Sequence, residues 1–320
     1  VETSVNSEVK IVAGRSNRAI AERIARATHR ELAEVTIRNF SDGELWVKYE
    51  ENVRGVDLYI VQSLHAPSDN LFELLLLIDA AKRASARRIT AVIPYLGYAR
   101  QDRKDQPRVA ITAKLVANLL TQAGANRVIT MDMHTPQLQG FFDIPVDHLY
   151  ASTISIDVIK GLGLTNVAVA SPDVGGVKNA RTYAKMLGDG VDLVVVDKRR
   201  PKHNVAEVMN IIGDVAGKNI LVVDDLIDTG STFVKCAEAI KDRGAASVVG
   251  VCTHPVFSGE AVELISSSEA ISKLFVTDTI PLRDHYPNIE VISVAPLFAE
   301  AIVRTHENQS ISSLFEKIEG

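Results

Sequence analysis

The run Ile220-Leu221-Val222-Val223-Asp224-Asp225-Leu226-Ile227-Asp228-Thr229-Gly230-Ser231-Thr232 sets an apolar stretch, two adjacent carboxylates and a short loop of small and hydroxyl residues before a helical pattern. Small residues let backbone N–H groups and hydroxyls come close to a phosphate, and the start of a helix favours an anion. Asp224 and Asp225 repel that same anion; they suit the hydroxyls of a sugar, directly or through an oxygen-loving divalent ion. A sugar phosphate satisfies both halves of the segment. The plainer reading, that Asp228 or Ser231 caps the helix, explains one polar residue but not the two carboxylates before it. The nucleotide-triphosphate loop GxxxxGK[ST] is not matched, because no lysine follows a spaced glycine pair.

Three other clusters offer chemistry. His134 with Asp132, and Asp173 after another apolar run, supply mixed nitrogen and oxygen donors for a divalent ion. Mg²⁺ prefers oxygen, and a lone histidine is more often a hydrogen-bonded structural residue, so these residues alone leave both readings open. Lys198-Arg199-Arg200-Pro201-Lys202-His203-Asn204 is a basic run; by charge alone it is a solvated loop or an anion-binding patch. Phe40, Asp42 and Glu44 follow a strand pattern at 34–38, where Phe40 could be core and the carboxylates a solvated turn.

The elements that must position these residues follow a regular rhythm. Strand patterns at 9–13, 58–62, 89–95 and 128–131 alternate with helical spacing at 18–28, 70–84 and 111–122. The second half repeats it, with strands at 167–170, 193–196, 220–223 and 247–251 and helices at 152–160, 176–187 and 232–243. Strands alternating with helices predict α/β architecture with parallel sheets covered on both faces. Ligands in such sheets sit beyond the carboxyl ends of strands, where the acidic and basic clusters fall. The length of 320 residues predicts two domains with a seam near Tyr150.

Composition narrows the class. Apolar residues at 46% and charged residues at 23% fit a globular protein with full cores. A net charge of −5 gives no general footprint for nucleic acid. The two cysteines, Cys236 and Cys252, form no CxxC pair, which favours a reducing compartment without disulfides. No apolar run is long enough for a membrane helix, and residues 1–8 lack the basic-then-apolar order of a secretory leader. A cytoplasmic protein is expected, with no nucleic-acid or membrane partner.

The strand–Asp–Asp–loop–helix segment resembles the ribose-phosphate loop of type I phosphoribosyltransferases and of the ribose-phosphate diphosphokinase (phosphoribosyl pyrophosphate synthetase) family. Further segments resemble the latter: Asp132-Met133-His134-Thr135-Pro136-Gln137-Leu138-Gln139-Gly140-Phe141-Phe142-Asp143-Ile144-Pro145, Phe40-Ser41-Asp42-Gly43-Glu44, Tyr98-Ala99-Arg100-Gln101-Asp102-Arg103-Lys104 and Ser171-Pro172-Asp173-Val174-Gly175-Gly176. The resemblance runs from about Val9 to Phe315. It implies two doubly wound, mostly parallel α/β domains of type I phosphoribosyltransferase type, 1–150 and 151–305, with the tail 306–320 packing back on the first.

The resemblance also implies the reaction ATP + D-ribose 5-phosphate → AMP + 5-phosphoribosyl 1-diphosphate, with Mg²⁺. It places Asp224, Asp225, Asp228, Thr229, Gly230, Ser231, Thr232 and Arg200 at the ribose 5-phosphate, and Lys198 and Arg200 as transition-state cations on a mobile loop. His134 and Asp173 would hold the Mg²⁺ of Mg-ATP, with Asp132 orienting His134. Phe40, Asp42 and Glu44 would face the adenine of ATP bound mainly by a neighbouring subunit, which would contribute Arg100 and Gln101. A homo-oligomer, a hexamer built from dimers, is thereby implied. In the phosphate-activated class, Ser310, Ser312 and Gln139 match residues binding phosphate or ADP at a regulatory site between subunits. Two departures stand out: the Gly230-Ser231 order, more usual in phosphoribosyltransferases, and Asp105-Gln106-Pro107-Arg108, less basic than in many bacterial members. A phosphoribosyltransferase would leave Phe40–Glu44, Arg100–Gln101 and 132–145 without a task. A silent regulatory paralogue would be expected to lose the Lys198–Arg200 or His134 segment, and both are intact.

Overall fold

A computed structural model describes residues 8–199 and 208–315. They divide into two compact units. One runs to Tyr150 and takes in Thr279–Pro281 and Ser293–Leu314; the other comprises Ala151–Asp278 and Leu282–Ile292.

In the first unit β1 (Val9–Ala13) leads into α1 (Arg18–Ala27), then a hairpin of β2 (Val35–Asn39) and β3 (Leu45–Tyr49). There follow β4 (Asp57–Val61), α2 (Asp69–Arg83), β5 (Arg88–Ile93), α3 (Thr112–Ala123), β6 (Arg127–Met131), a 3₁₀ turn at Pro136–Phe141 and β7 (Val146–Leu149). The sheet is all parallel in the order β1-β4-β5-β6-β7. Period-two alternation splits its side chains: Val12, Leu58, Ile60, Ile89, Ala91 and Val128 pack with α2, α3 and the inner side of the hairpin. Ile11, Tyr59 and Val92 are equally buried but stand outside that cluster, on the other face.

The second unit comprises α4 (Ser152–Gly161), β8 (Val167–Ser171), α5 (Val177–Leu187), β9 (Asp192–Arg199), β10 (Val208–Ile212), β11 (Asn219–Ile227), α6 (Ser231–Asp242), β12 (Ser247–Pro255), α7 (Ala261–Ser267), β13 (Lys273–Thr277) and β14 (Ile289–Ile292). Its sheet runs β10-β9-β8-β11-β12-β13-β14, with only the β9–β10 pair antiparallel. The strand order reverses between β8 and β11, the type of crevice in which open α/β sheets bind ligands. The chain then returns to the first unit with α8 (Ala295–His306), packed on α1. Buried Asp57 fastens that helix end: His306 Nδ1 and an Arg88 guanidinium nitrogen lie 2.9 and 2.6 Å from its Oδ2. Mostly parallel α/β sheets are thus present in both units, as expected. The chain re-enters the first unit at Thr279–Pro281 and again from Ser293, both ahead of residue 306, and there α8 buries an apolar face that includes Phe298, Ala301 and Ile302. Among the described residues no helix is long and apolar enough to cross a membrane.

Candidate active site

In the second unit β11 is longer than its apolar core suggests. It stays paired with β12 as far as Ile227↔Pro255, whereas its pairing with β8 stops at Val222↔Ala170. Asp224 and Asp225 therefore stand on the strand rather than after it, where the neighbouring strand has already ended. The same ending of β8 at Ser171 releases Pro172 and Asp173 into a turn: Ser171 Oγ donates to the Asp173 carbonyl (2.6 Å) and Gly176 N–H to Asp173 Oδ1 (2.9 Å). The structure thus brings Asp173 towards the Asp224–Asp225 pair. Burial, then the charge of Asp225, then that of Asp173 push the Asp224 carboxyl well above the usual carboxylate range. Behind them, burial followed by the charges of Asp224 and Asp173 raises the Cys236 thiol to about 12, so this cysteine is an inert core residue.

The phosphate-type loop follows directly. Gly230, at φ 76°, is the residue that precedes α6, so neither Asp228 nor Ser231 occupies the cap position. Its backbone sits close to α7: a Cβ there would lie 3.3 Å from both the Ala261 carbonyl and the Ile265 side chain. Asp228 O receives Ser258 N–H at 2.9 Å, and the Thr229 and Ser231 hydroxyls stand 3.3 Å apart, both exposed. A left-handed glycine opening a 12-residue helix, with two exposed hydroxyl residues beside it, is an arrangement able to accept an anion. Lys198 lies in β9 opposite Met209 of β10, so its backbone belongs to the edge hairpin of this sheet. Arg200 lies outside the described residues.

The first unit assembles a second group. Phe40 to Glu44 form the tight tip of the β2–β3 hairpin: Phe40 N–H donates to Glu44 O (2.8 Å), Gly43 N–H to Phe40 O (2.9 Å) and Glu44 N–H to Asp42 Oδ1 (3.0 Å). Phe40 is 44% exposed, which removes the core reading of its side chain. Arg38 lays its guanidinium 4.4 Å from the Trp46 ring centroid and 5.6 Å from that of Phe40. Asn39 is tied to Arg15 (2.9 Å), whose Nε and backbone N–H both meet buried Glu73 at 2.6 Å.

Arg100 is exposed, and Gln101 accepts from the Thr112 hydroxyl and Ala113 N–H at the start of α3. Asp102, the next residue, receives the Thr135 hydroxyl at 3.2 Å. The Arg100–Gln101 and His134 segments are therefore joined, a link the sequence did not reveal because both partners are common loop residues. Gln139 sits exposed in the 3₁₀ turn; Ser310 Oγ accepts from Ser312 N–H (3.2 Å), and its carbonyl accepts from Arg304 (3.0 Å). His134 is exposed in the first unit, while Asp173 belongs to the second. Among the described residues no three His, Cys, Asp or Glu side chains are grouped as ready metal ligands.

Comparison with known proteins gives a consistent result along the chain. Residues 9–124 match the model of the N-terminal domain of ribose phosphate pyrophosphokinase, and residues 191–316 that of the phosphoribosyl synthetase-associated domain. The chain is 57% identical over 314 residues to a ribose-phosphate pyrophosphokinase of Chlorobaculum tepidum, covering 98% of this chain and 96% of that one. It is 54% identical to the enzyme of that name from Campylobacter jejuni, covering 96% and 98%. Its fold superposes on the crystal structure of phosphoribosylpyrophosphate synthetase from Mycobacterium smegmatis with a TM-score of 0.89 at 38% identity, covering 94% of this chain and 100% of that one.

Proposed function

The chain belongs to the ribose-phosphate pyrophosphokinase family, and we propose how its residues divide the work of that reaction. It is a diphosphotransferase, moving the β,γ-diphosphoryl group of ATP to the 1-hydroxyl of D-ribose 5-phosphate and releasing AMP. The observation that carries the residue assignment is the run of carboxylates and cradle on one strand: Asp224 and Asp225 where β8 has ended, then Thr229–Thr232 at the start of α6.

In this reading the N–H groups and hydroxyls of Thr229, Gly230, Ser231 and Thr232 hold the 5-phosphate, with Asp228 at the turn. Asp224 and Asp225 orient the ribose hydroxyls and present the 1-hydroxyl to the β-phosphorus. Phosphoryl-type transition states spread charge over oxygens, so cations and positioning dominate over covalent chemistry. Lys198 and Arg200 supply two of those cations. Phe40, Asp42 and Glu44 meet the adenosine of ATP, Arg100 stacks on the base, and Gln101 is held beside it by Thr112. Subunits of a homo-oligomer, a hexamer of dimers, share that nucleotide site, and phosphate or ADP regulates it through Gln139, Ser310 and Ser312.

Asp173, Asp224 and Asp225 offer the hard oxygens that Mg²⁺ prefers; burial, then the charges of Asp225 and Asp173, push the Asp224 carboxyl up, and a divalent cation beside it would offset those charges. His134 and Asp173 would hold the ion that accompanies ATP. When bound, Mg²⁺ neutralises polyphosphate charge and orients the β-phosphorus. The protein works in the cytoplasm on this reading.

The test is ³¹P NMR of purified protein with Mg-ATP, ribose 5-phosphate and inorganic phosphate. AMP appearing in step with a sugar-linked diphosphate is the expected result. ADP instead would mean γ-transfer and overturn it.

A further inference from the structure

His148 lies in β7 opposite Thr130 of β6 and is buried to 6% exposure. Its Nε2 accepts the backbone N–H of Met133 at 2.9 Å. That contact uses the lone pair of Nε2. The ring is held from the side by Tyr150, with centroids 4.5 Å apart.

The segment it touches needs holding. After β6 the backbone turns through Asp132 at φ 35°, a left-handed conformation costly for a residue with a Cβ. Asp132 N–H is caught by the Leu149 carbonyl (3.0 Å), and Met133 buries its side chain in the core to 5% exposure. His134 comes next, exposed, and Thr135 is fixed by Asp102. His134 is thus gripped on both flanks, by the Met133 amide on one side and the Thr135 hydroxyl on the other. Without an acceptor at 148 the Met133 N–H would be buried and unsatisfied, which favours a different path for the turn.

We propose that His148 is a positioning residue: by accepting the Met133 amide it fixes the turn that presents His134 to the nucleotide. This rests on the reading of His134 as part of the Mg-ATP site. Gln places an amide oxygen near where Nε2 stands; Leu has similar bulk and no acceptor.

The experiment measures calorimetric binding of α,β-methylene-ATP with Mg²⁺ to the full chain, in wild type, His148→Leu, His148→Gln, His134→Ala and the double variant His134→Ala/His148→Leu. Ribose 5-phosphate binding and thermal melting serve as the folding check, and His148→Ala replaces His148→Leu should the latter not fold. His148→Leu is expected to bind the analogue about tenfold more weakly, ~1.4 kcal/mol, and His148→Gln within about twofold of wild type. Added to His134→Ala, His148→Leu is expected to weaken binding no further, because both act on one contact. A merely structural role would make the two losses add, and that outcome overturns the proposal. So does a folded His148→Leu with wild-type affinity while His134→Ala binds weakly. If His134→Ala itself binds normally, the reading of His134 fails, and the role of His148 falls with it.

Discussion

The Thr135 hydroxyl donates to Asp102 Oδ2 across 3.2 Å and thereby joins two loops 33 residues apart in the chain. One loop follows β5 and carries Arg100 and Gln101; the other follows β6 and carries His134. Hydrogen bonds to a charged acceptor contribute roughly 1.5–3 kcal/mol when well formed, less at a half-exposed site. Thr135→Val is expected to raise the KM for Mg-ATP about three- to tenfold, on the order of 1 kcal/mol, while leaving the KM for ribose 5-phosphate unchanged. Steady-state kinetics with each substrate varied in turn checks this, and an equal rise in both constants counts against it.

Lys198 is assigned a task in the transition state alone. Lys198→Ala is expected to lower kcat by about 10²–10³ and to leave ribose 5-phosphate affinity within about twofold. A coupled AMP assay and a binding titration on the same preparation separate the two. Normal turnover would remove the role.

Gly230 is confined by its φ of 76° and by the Ala261 carbonyl and Ile265 side chain, each 3.3 Å from where a Cβ would stand. Gly230→Ala is expected to cost about 1–2 kcal/mol from the left-handed conformation. That lowers the melting temperature by several degrees. It also weakens ribose 5-phosphate binding, because the cradle must shift. Melting curves with and without the sugar phosphate read both effects.

Lys10 of β1 pairs with Glu51, which also accepts Glu34 N–H at 2.7 Å and so anchors the base of the β2–β3 hairpin. Burial works against the Glu51 charge, but Lys10 and the Glu34 amide outweigh it and hold the carboxyl below its ordinary 4.5. A carboxyl with a depressed folded-state pKa stabilises above its unfolded pKa, and that contribution is lost as pH falls through the folded value. Lys10→Met is therefore expected to melt lower than wild type near neutrality and to show a smaller drop in melting temperature between about pH 7 and about pH 3. Equal drops in the two proteins would contradict this sign.

Trp46 is the single tryptophan of the chain, and Arg38 lies over it and towards Phe40. Mg-ATP is expected to change its emission in the assembled oligomer. Exposed cation–π contacts contribute about 0.5–1 kcal/mol, so Arg38→Leu is expected to raise the nucleotide KM only two- to fivefold. A flat fluorescence titration at saturating nucleotide would place the base elsewhere.

Periodicity of apolar residues sufficed to locate the larger elements, since a strand buried on both faces or an amphipathic helix must show its pattern locally. Chemistry was legible in the same way: Asp224-Asp225 with Asp228–Thr232, and Phe40–Glu44, are contiguous and need no distant partner to be recognised. Short elements escaped. β7 has four residues behind Pro145, too few to display alternation; α8, with 12 residues, was missed although it is no shorter than α3 or α6. The ends of β11 were also hidden, because pairing with β12, not composition, carries the strand past two carboxylates to Ile227.

What tertiary structure alone decided are the contacts between residues far apart in sequence. Asp173 is steered to Asp224 because β8 stops where β11 continues. Thr135 finds Asp102, and Met133 finds His148, because parallel register sets the ends of β5, β6 and β7 side by side. A motif specifies which groups are available within a few residues. Which of them meet depends on strand order and on where each strand ends, and hydrogen-bond ladders spread over the whole sheet determine both.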